Sequence, residues 1–221
     1  AHFSLGNTLK ELGRLDEALA SYNQTIALKP DYAEPHNNLG VALTDLGRLD
    51  EALASYNQAI ALKPDYAEPH NNLGVALTDL GRLDEALASY NQAIALKPDY
   101  AEAHRHLASI KKFDEQDEQY SDMLKLYLNE DILDEQRCHI NFGLAKACED
   151  LGNFEQAFVH YLEGNEIRKK FLKYDITQDV RLFRRIKSAY PKIKSHTLEP
   201  AKLSEGLTPI FIVGMPRSGT T

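Results

Sequence analysis

The sequence has few cysteines and no long apolar run, and both absences limit what the chain can be. It contains two cysteines in 221 residues, Cys138 and Cys148. They lie ten residues apart in a helical pattern. At about 100° per residue they fall on different faces of a helix, so we expect no disulfide between them. Two unpaired thiols favour a reducing compartment such as the cytoplasm. No apolar run reaches the roughly 18 residues that a membrane-spanning helix needs.

Positive charge is scarce over most of the sequence. Residues 1–165 carry 13 Lys and Arg against 28 Asp and Glu, whereas residues 166–221 carry 12 against 5. An acidic surface repels a phosphate backbone, so nucleic acid is not an expected partner for most of the chain. The basic residues near the end either solvate helix faces or lie beside the phosphate-binding loop described below.

Repetition dominates the first hundred residues. The stretch "AEPHNNLGVALTDLGRLDEALASYNQAIALKPDY" occupies 33–66 and recurs unchanged at 67–100, and residues 1–32 are a near-identical unit without its first two positions. In each unit, two runs of apolar residues at helical spacing are separated by a glycine such as Gly47 and closed by a proline such as Pro64. Each unit is therefore predicted to form two helices. One pair cannot bury its own apolar face, so neighbouring pairs must stack.

Small and large residues alternate in a way that suits this stacking. Gly40 and Ala52 occur where the two helices of a pair must approach closely, and Ala59 where the second helix meets the next pair. The large side chains Leu39 and Tyr56 are expected to fill the gaps between them.

In this pattern the sequence resembles the tetratricopeptide repeat. The matching positions are Leu39, Gly40, Ala52, Tyr56, Ala59 and Pro64, with their equivalents 34 residues on. His36 and His70 stand where that family usually has an aromatic residue. The resemblance implies an all-α fold, a right-handed superhelix of antiparallel helix pairs whose first helices line a concave groove.

Four asparagines lie near the starts of the first helices: Asn37, Asn38, Asn71 and Asn72. An amide side chain offers both a donor and an acceptor to a peptide backbone. The repeats of the O-linked N-acetylglucosamine transferases are similar in using such a ladder, although here it is short, because Ser4 and His106 occupy the equivalent of Asn38 in the flanking units. The alternative is that these asparagines cap or solvate helix starts.

The expected partner in the groove is a peptide or protein. Because Asp45 and Asp79 lie on the same helices, a basic or neutral ligand is favoured over an acidic one. The eight histidines show no spacing typical of a metal site, so no metal is expected.

From Ala101 the pattern decays. The stretch "AEAHRHLASIKKF" predicts another first helix, with "DEQYSDMLKLYLNE" as its partner. Residues 134–174 then restore the repeat positions at Leu144, Ala145, Gly152, Phe154, Ala157 and Tyr161. No proline occurs near Lys169, so the second helix of this pair is predicted to run past its usual end.

A further amphipathic helix is predicted for "TQDVRLFRRIKSAYP", ending before Pro191, with a polar linker after it. We expect this basic helix to pack against a following domain; the alternative is that it lies on a membrane. The predicted organisation is three near-identical repeats at 1–100, divergent repeats at 101–174, this helix and linker at 175–207, and the start of another domain at 208–221.

The sequence closes on "PIFIVGMPRSGTT", residues 209–221. The apolar run is typical of a buried parallel strand, and Gly214 and Gly219 have the spacing of a phosphate-binding loop. Such a loop points backbone N–H groups at the phosphate, and Ser218 adds a hydroxyl donor. Nucleoside triphosphatases place Lys after the second glycine, where this sequence has Thr220, which disfavours a nucleoside or sugar kinase.

"PRSGTT" after an apolar strand resembles the 5′-phosphosulfate loop of sulfotransferases, especially tyrosylprotein sulfotransferases and bacterial relatives that carry tetratricopeptide repeats. "LAKACEDLGNFEQAF" and "GNEIRKK" are similar to those bacterial proteins as well. The resemblance implies 3′-phosphoadenosine 5′-phosphosulfate as the sulfuryl donor and no metal. The implied donor-binding residues are Gly214, Pro216, Arg217, Ser218, Gly219, Thr220 and Thr221, with Arg217 also stabilising charge on the leaving bridging oxygen.

The resemblance implies that the general base and the 3′-phosphate contacts lie beyond Thr221. We therefore expect this chain alone neither to transfer sulfate nor to bind the donor tightly. Two interpretations stay open. Either the parent protein is a sulfotransferase whose repeats present an acceptor, or the repeats are a scaffold for protein partners with no catalytic role.

Overall fold

The computed structural model describes residues 1–195, and every regular element within that range is an α-helix. The chain divides into two compact units, Ala1–Leu172 and the residues from Lys173 onward. The helices of the first unit are α1 (His2–Glu11), α2 (Leu15–Leu28), α3 (Ala33–Asp45), α4 (Leu49–Leu62), α5 (Ala67–Asp79), α6 (Leu83–Leu96), α7 (Ala101–Ile110), α8 (Glu118–Tyr127), α9 (Asp134–Asp150) and α10 (Phe154–Leu172). In the second unit, α11 spans Ile176–Ser195.

The turn inside each regular pair depends on a left-handed glycine. Gly47 has φ +72° and joins α3 to α4. Its N–H donates to the carbonyl of Thr44, and the N–H of Arg48 donates to that of Leu43, both at 2.9 Å. These bonds satisfy carbonyls that the end of α3 would otherwise leave unpaired. The chain reverses within three residues, and the predicted pair of antiparallel helices is confirmed.

Close packing of each pair rests on the small residues that the sequence singles out. A Cβ added to Gly40 would lie 2.5 Å from Cε1 of Tyr56, so the ring of α4 packs directly on the backbone of α3. Ala52 and Ala59 are fully buried, and Tyr56 is 1% exposed. The core of residues 1–100 repeats this contact once in each pair.

The row of first helices forms the inner side of the repeat stack. Among the helices of residues 1–110, α1 contacts α3, α3 contacts α5, and α5 contacts α7, whereas α2, α4 and α6 do not contact one another. Elements that lie closer together occupy the inside of a curve. The expectation that the first helices line the concave face therefore agrees with the packing.

The fourth pair departs from the regular pattern, and here the predicted partner of α7 is wrong. α8 packs more extensively on α9 than on α7, while α9 packs along α7. The cause is local. α7 ends in an extended segment from Lys111 in place of a left-handed glycine turn, so α8 does not fold back along α7. The N–H of Phe113 donates to Asp150 at 3.1 Å and holds this segment against α9.

Two helix ends test the sequence predictions. α10 continues to Leu172, past the position where α4 ends at Leu62, and this extension was predicted. The predicted end of α11 before Pro191 is wrong, because the helix continues to Ser195. Proline removes a single N–H donor, and the surrounding backbone bonds carry the helix through it.

Two absences complete the description of residues 1–195. Cys138 and Cys148 are buried and free, as predicted. In the same range, no helix combines the length and the apolarity needed to cross a bilayer.

Candidate functional site

The asparagines of the first helices bind one another across the repeat boundaries. Asn38 Nδ2 of α3 donates to Asn7 Oδ1 of α1 at 2.9 Å, and Asn72 Nδ2 of α5 donates to Asn37 Oδ1 of α3 at 3.0 Å. Within α3, Asn37 Nδ2 donates to Asn38 Oδ1 at 3.2 Å and links the two steps. The result is a ladder of amides along the inner helices.

The ladder continues into the divergent part of the chain through His106. Its Nδ1–H donates to Asn71 Oδ1 at 2.9 Å, and its Nε2 accepts from Arg105 Nη2 at 2.7 Å. The Nε–H of Arg105 donates to Nδ1 of His139 on α9 at 2.9 Å. Two hydrogen-bonded series therefore follow one another along these helices, one from α1 through α3 to Asn72 of α5 and the other from Asn71 of α5 through α7 to α9.

Burial and the neighbouring guanidinium keep these imidazoles neutral. Desolvation, reinforced by the charge of Arg105, lowers the pKa of His106 to about 3. Burial and Arg105 also lower the pKa of His139. A neutral imidazole has one donor and one acceptor nitrogen, which is what the contacts of His106 require.

Carboxylates follow the ladder at the same spacing. Glu34, Glu68 and Glu102 occupy the second position of α3, α5 and α7, and all three are half-buried. Lys63 Nζ approaches Glu34 at 3.8 Å. Burial raises the pKa of Glu102, with Arg105 opposing that rise. The inner face thus carries a row of acid groups beside a row of amides.

The four predicted groove residues differ in exposure. Asn37 and Asn71 are 5% and 1% exposed, and their side-chain oxygens accept ladder hydrogen bonds beneath the surface. Asn38 and Asn72 are half-buried and reach the inner surface. An amide carries two N–H donors and an oxygen with two lone pairs, so one or two ladder bonds do not exhaust it.

Sequence reasoning did not place Asn7, Arg105 and His139 in the ladder. The 34-residue register identified His106 as the equivalent of Asn38, but His106 was expected to end the ladder, whereas it bonds Asn71. Asn7 lies one helical turn beyond Ser4, and it accepts from both Asn38 and Tyr22. No register rule identifies Asn7, because its role depends on how far α1 and α3 are offset.

The predicted donor-binding residues cannot be placed in this geometry. Gly214, Pro216, Arg217, Ser218, Gly219, Thr220 and Thr221 all lie outside the described residues. Within residues 1–195, no group of three or more His, Cys, Asp or Glu side chains is arranged to hold a metal ion.

The periodic core, the glycine turns and the inner row of helices agree with the comparison to known families. Three consecutive segments, residues 6–45, 42–79 and 76–111, match the family described as TPR repeat. Residues 6–111 are therefore similar to tetratricopeptide repeats. A comparison with curated proteins gives no match.

Solved structures share the tetratricopeptide-repeat fold. The crystal structure of MamA aligns with a TM-score of 0.56 at 23% identity, covering 76% of this chain and 97% of that one. A mutant O-GlcNAc transferase of Thermobaculum terrenum aligns with a TM-score of 0.50 at 23% identity, over 57% of this chain and 25% of that one. The first repeat domain of Spaghetti (RPAP3), bound to the HSP90 peptide SRMEEVD, gives 0.48 at 28% identity over 49% and 86%.

Proposed function

We propose that the tetratricopeptide repeats form a protein-binding module whose inner face receives an extended polypeptide. The observation that carries the proposal is the row of half-buried amides, Asn38 and Asn72, at the same position of successive inner helices. Their ladder bonds fix the orientation of each amide before a ligand arrives, which lowers the entropy cost of binding. A polypeptide backbone offers the complementary donors and acceptors at every residue.

The charge of the inner face favours a basic or neutral ligand. Glu34, Glu68 and Glu102 lie on one side of the amides, and Asp45 and Asp79 are exposed at the other end of α3 and α5. An acidic peptide would meet carboxylates along the whole row. A Lys- or Arg-bearing peptide would gain attraction that decreases with salt.

Fluorescence anisotropy with two pools of labelled, unstructured peptides tests this proposal. The pools have the same length and apolar content, one with lysines and the other with glutamates at the charged positions. We expect the basic pool to bind and the acidic pool not to bind. Asn38→Ala combined with Asn72→Ala should weaken binding roughly tenfold, since each loses backbone hydrogen bonds.

The matched control is Asn23→Ala combined with Asn57→Ala. These asparagines are exposed on the second helices α2 and α4, away from the inner row. Equal loss of binding in both double variants would contradict the groove assignment, and so would preference for the acidic pool. Melting curves of both variants separate lost binding from lost structure.

We propose further that the parent protein transfers a sulfuryl group from 3′-phosphoadenosine 5′-phosphosulfate to a hydroxyl acceptor that the repeats help to present. This rests on the sequence motif from Gly214 to Thr221, with Arg217 as the fixed positive charge and Thr220 in the place of a nucleotidase lysine. In this role the loop amides and Ser218 hold the 5′-phosphate. Arg217 stabilises charge on the departing oxygen.

An assay of the full-length protein with a sulfur-labelled donor separates the two roles. Transfer of label to a co-purified or supplied acceptor supports the enzyme, and Arg217→Ala should reduce the rate by about 100-fold or more. Arg184→Ala, on the exposed face of α11, is the charge-matched control and should leave the rate unchanged. Absence of transfer, together with retained peptide binding, would assign the repeats to a scaffold with no catalytic role.

A further inference from the structure

A cavity of about 480 Å³ opens where the fourth pair departs from the regular pattern. It lies between α6, α7 and α8, with Ile94, His104, Leu107 and Gln119 among its lining residues. The extended segment after α7 carries α8 away from the position that a regular second helix takes. The cavity is therefore a product of the irregular pair and lies apart from the amide ladder.

Two residues of the lining, His104 and Gln119, each carry a buried acceptor atom that lacks a partner within residues 1–195. His104 is fully buried, and its Nε2–H donates to the carbonyl of Pro98 at 3.0 Å, which leaves Nδ1 as an acceptor. Gln119 is 8% exposed, and its Nε2 donates to the carbonyl of His104 at 3.1 Å, which leaves Oε1 as an acceptor. Neither His104 Nδ1 nor Gln119 Oε1 receives a hydrogen bond from a described residue.

Buried polar atoms without partners are uncommon and need an explanation. Since both atoms are acceptors, the missing group must be a donor. His36 Nε2 and His70 Nε2 lack a partner as well, but they do not line this cavity. The combination of two orphan acceptors and an open cavity occurs at His104.

The rim of the cavity adds negative charge. Asp114, Asp117, Glu118 and Asp122 line it, together with the cation Lys111. Lys111 Nζ lies 2.6 Å from Asp117, and Lys125 lies 2.7 Å from Asp122. The carboxylates still outnumber these two cations, so the field in the cavity favours a positively charged donor.

The walls provide an apolar surface beside these polar atoms. Ile94 of α6 is half-buried, and Leu107 of α7 is 2% exposed. An alkyl chain can lie against them while its charged end reaches the acceptors, as the stem of a lysine does on a protein surface.

We propose that this cavity binds a primary alkyl ammonium group, from either a free aliphatic amine or a lysine side chain of a partner protein. The ammonium has three N–H donors. Two of them satisfy His104 Nδ1 and Gln119 Oε1, and the third faces the acidic rim. Burial lowers the pKa of His104 and keeps Nδ1 unprotonated at neutral pH, as an acceptor must be.

Titration of the full chain with pentylamine, followed by calorimetry and by the NMR signals of the His104 ring and the Gln119 amide, tests the proposal. We expect saturable binding that shifts both signals. The uncharged analogue 1-pentanol should bind at least about tenfold more weakly, because a hydrogen bond to a charged donor is stronger than a neutral one.

A blocked Gly-Lys-Gly peptide and its acetyl-lysine counterpart test whether the ammonium group comes from a lysine side chain of a partner protein. Tighter binding of the lysine peptide than of pentylamine indicates a protein partner, and the reverse indicates a free amine.

Two variants of one residue make the result decisive. Gln119→Leu removes an acceptor and should weaken pentylamine binding roughly tenfold, whereas Gln119→Glu adds a negative charge and should strengthen it. The matched control, His70→Phe, changes the equivalent repeat position away from the cavity and should leave binding unchanged. No saturation by pentylamine, equal binding of 1-pentanol, or insensitivity to both Gln119 variants would overturn the proposal.

Discussion

At the scale of single residues, one tyrosine and one glycine set the distance between the helices of each regular pair. In the third pair, Tyr90 is 2% exposed, and a Cβ on Gly74 would lie 2.5 Å from its Cε1 atom. A ring held on all sides cannot move aside cheaply. Glycine is required at position 74 because the ring of Tyr90 occupies the space that a Cβ atom would take.

We expect Gly74→Ala to lower the free energy of unfolding by about 1–3 kcal/mol, the usual cost of overpacking a core. Urea unfolding followed by circular dichroism measures it. The control is Gly81→Asn: Gly81 has φ +74° and nothing within 4 Å of its Cβ position, and asparagine tolerates this conformation. A loss in Gly81→Asn as large as in Gly74→Ala would contradict the packing argument.

Buried histidines make stability depend on pH. Burial lowers the pKa of six histidines of the described residues: His36, His70, His104, His106, His139 and His160. Because these pKa values lie below the value of about 6.5 in an unfolded chain, the unfolded state takes up more protons as the pH falls. Their contribution to stability is complete above pH 6.5 and is lost as the pH falls toward the folded-state values.

We expect the urea concentration at the unfolding midpoint to decrease when the pH is lowered from 7 to 5. The decrease should be smaller for His106→Asn than for the parent chain. Burial lowers the pKa of His106 to about 3, so its imidazole stays neutral in the folded chain over this whole pH range, while it gains a proton in the unfolded chain. The groups that face it are Arg105, Glu102, Asn71 and the ring of Tyr90. A midpoint that rises on acidification over this range would mean that the histidines are not held neutral.

At the scale of helices, the amide ladder couples one repeat to the next. Asn37 accepts from Asn72 on α5 and donates to Asn38 on its own helix. We expect Asn37→Ala to cost about 1–3 kcal/mol, because it leaves the half-buried amide groups of Asn72 and Asn38 without this partner. Asn57→Ala, at an exposed position of α4, should change stability little. Hydrogen exchange of the backbone amides of α3 and α5 measures the effect of each variant. Equal protection in Asn37→Ala and Asn57→Ala would contradict the coupling of neighbouring repeats through the amide ladder.

The helices also show how far sequence reasoning reaches. The 34-residue period is enough to predict helices α1 to α6 and their pairing, because each unit repeats both its apolar stripe and its glycine turn. It fails at α8, where Lys111 to Phe113 replace the glycine turn and the choice of partner depends on packing with α9. The prediction that α11 ends before Pro191 was wrong, because the loss of a single backbone N–H donor does not end the helix there. The asparagine positions were readable from the spacing, but their partners were not, since these depend on the offset between neighbouring helices.

At the scale of the whole molecule, each regular repeat contacts mainly its neighbours. Stability in such an arrangement is close to a sum over units and their interfaces. Since residues 33–66 and 67–100 are identical, removing one unit joins surfaces that already fit each other. Asn72 would then stand where Asn38 stands and face Asn7.

We therefore expect a chain without residues 33–66 to fold, with lower helical content and a lower unfolding midpoint. Circular dichroism and thermal melting measure both. A chain without residues 33–49 is the control, because it removes one helix of a pair and leaves apolar faces unmatched, and it should lose cooperative unfolding. Cooperative unfolding of both deletions at the same midpoint would show that the repeat register does not govern stability.

From α1 to α7, the ladder bonds between neighbouring inner helices all run one way, whereas Arg105 of α7 donates forward to His139 of α9. Asn38 donates back to Asn7, Asn72 to Asn37, and His106 to Asn71, so in α1 to α7 each later helix gives its hydrogen to the one before it. The dipoles of the side chains consequently add along the row instead of cancelling. The inner face therefore has a net dipole along the row of helices. A polypeptide bound in one N-to-C direction meets different hydrogen-bonding and electrostatic surroundings from one bound in the opposite direction. Binding of a peptide and of its reversed sequence should differ for this reason, even when their composition and length are the same.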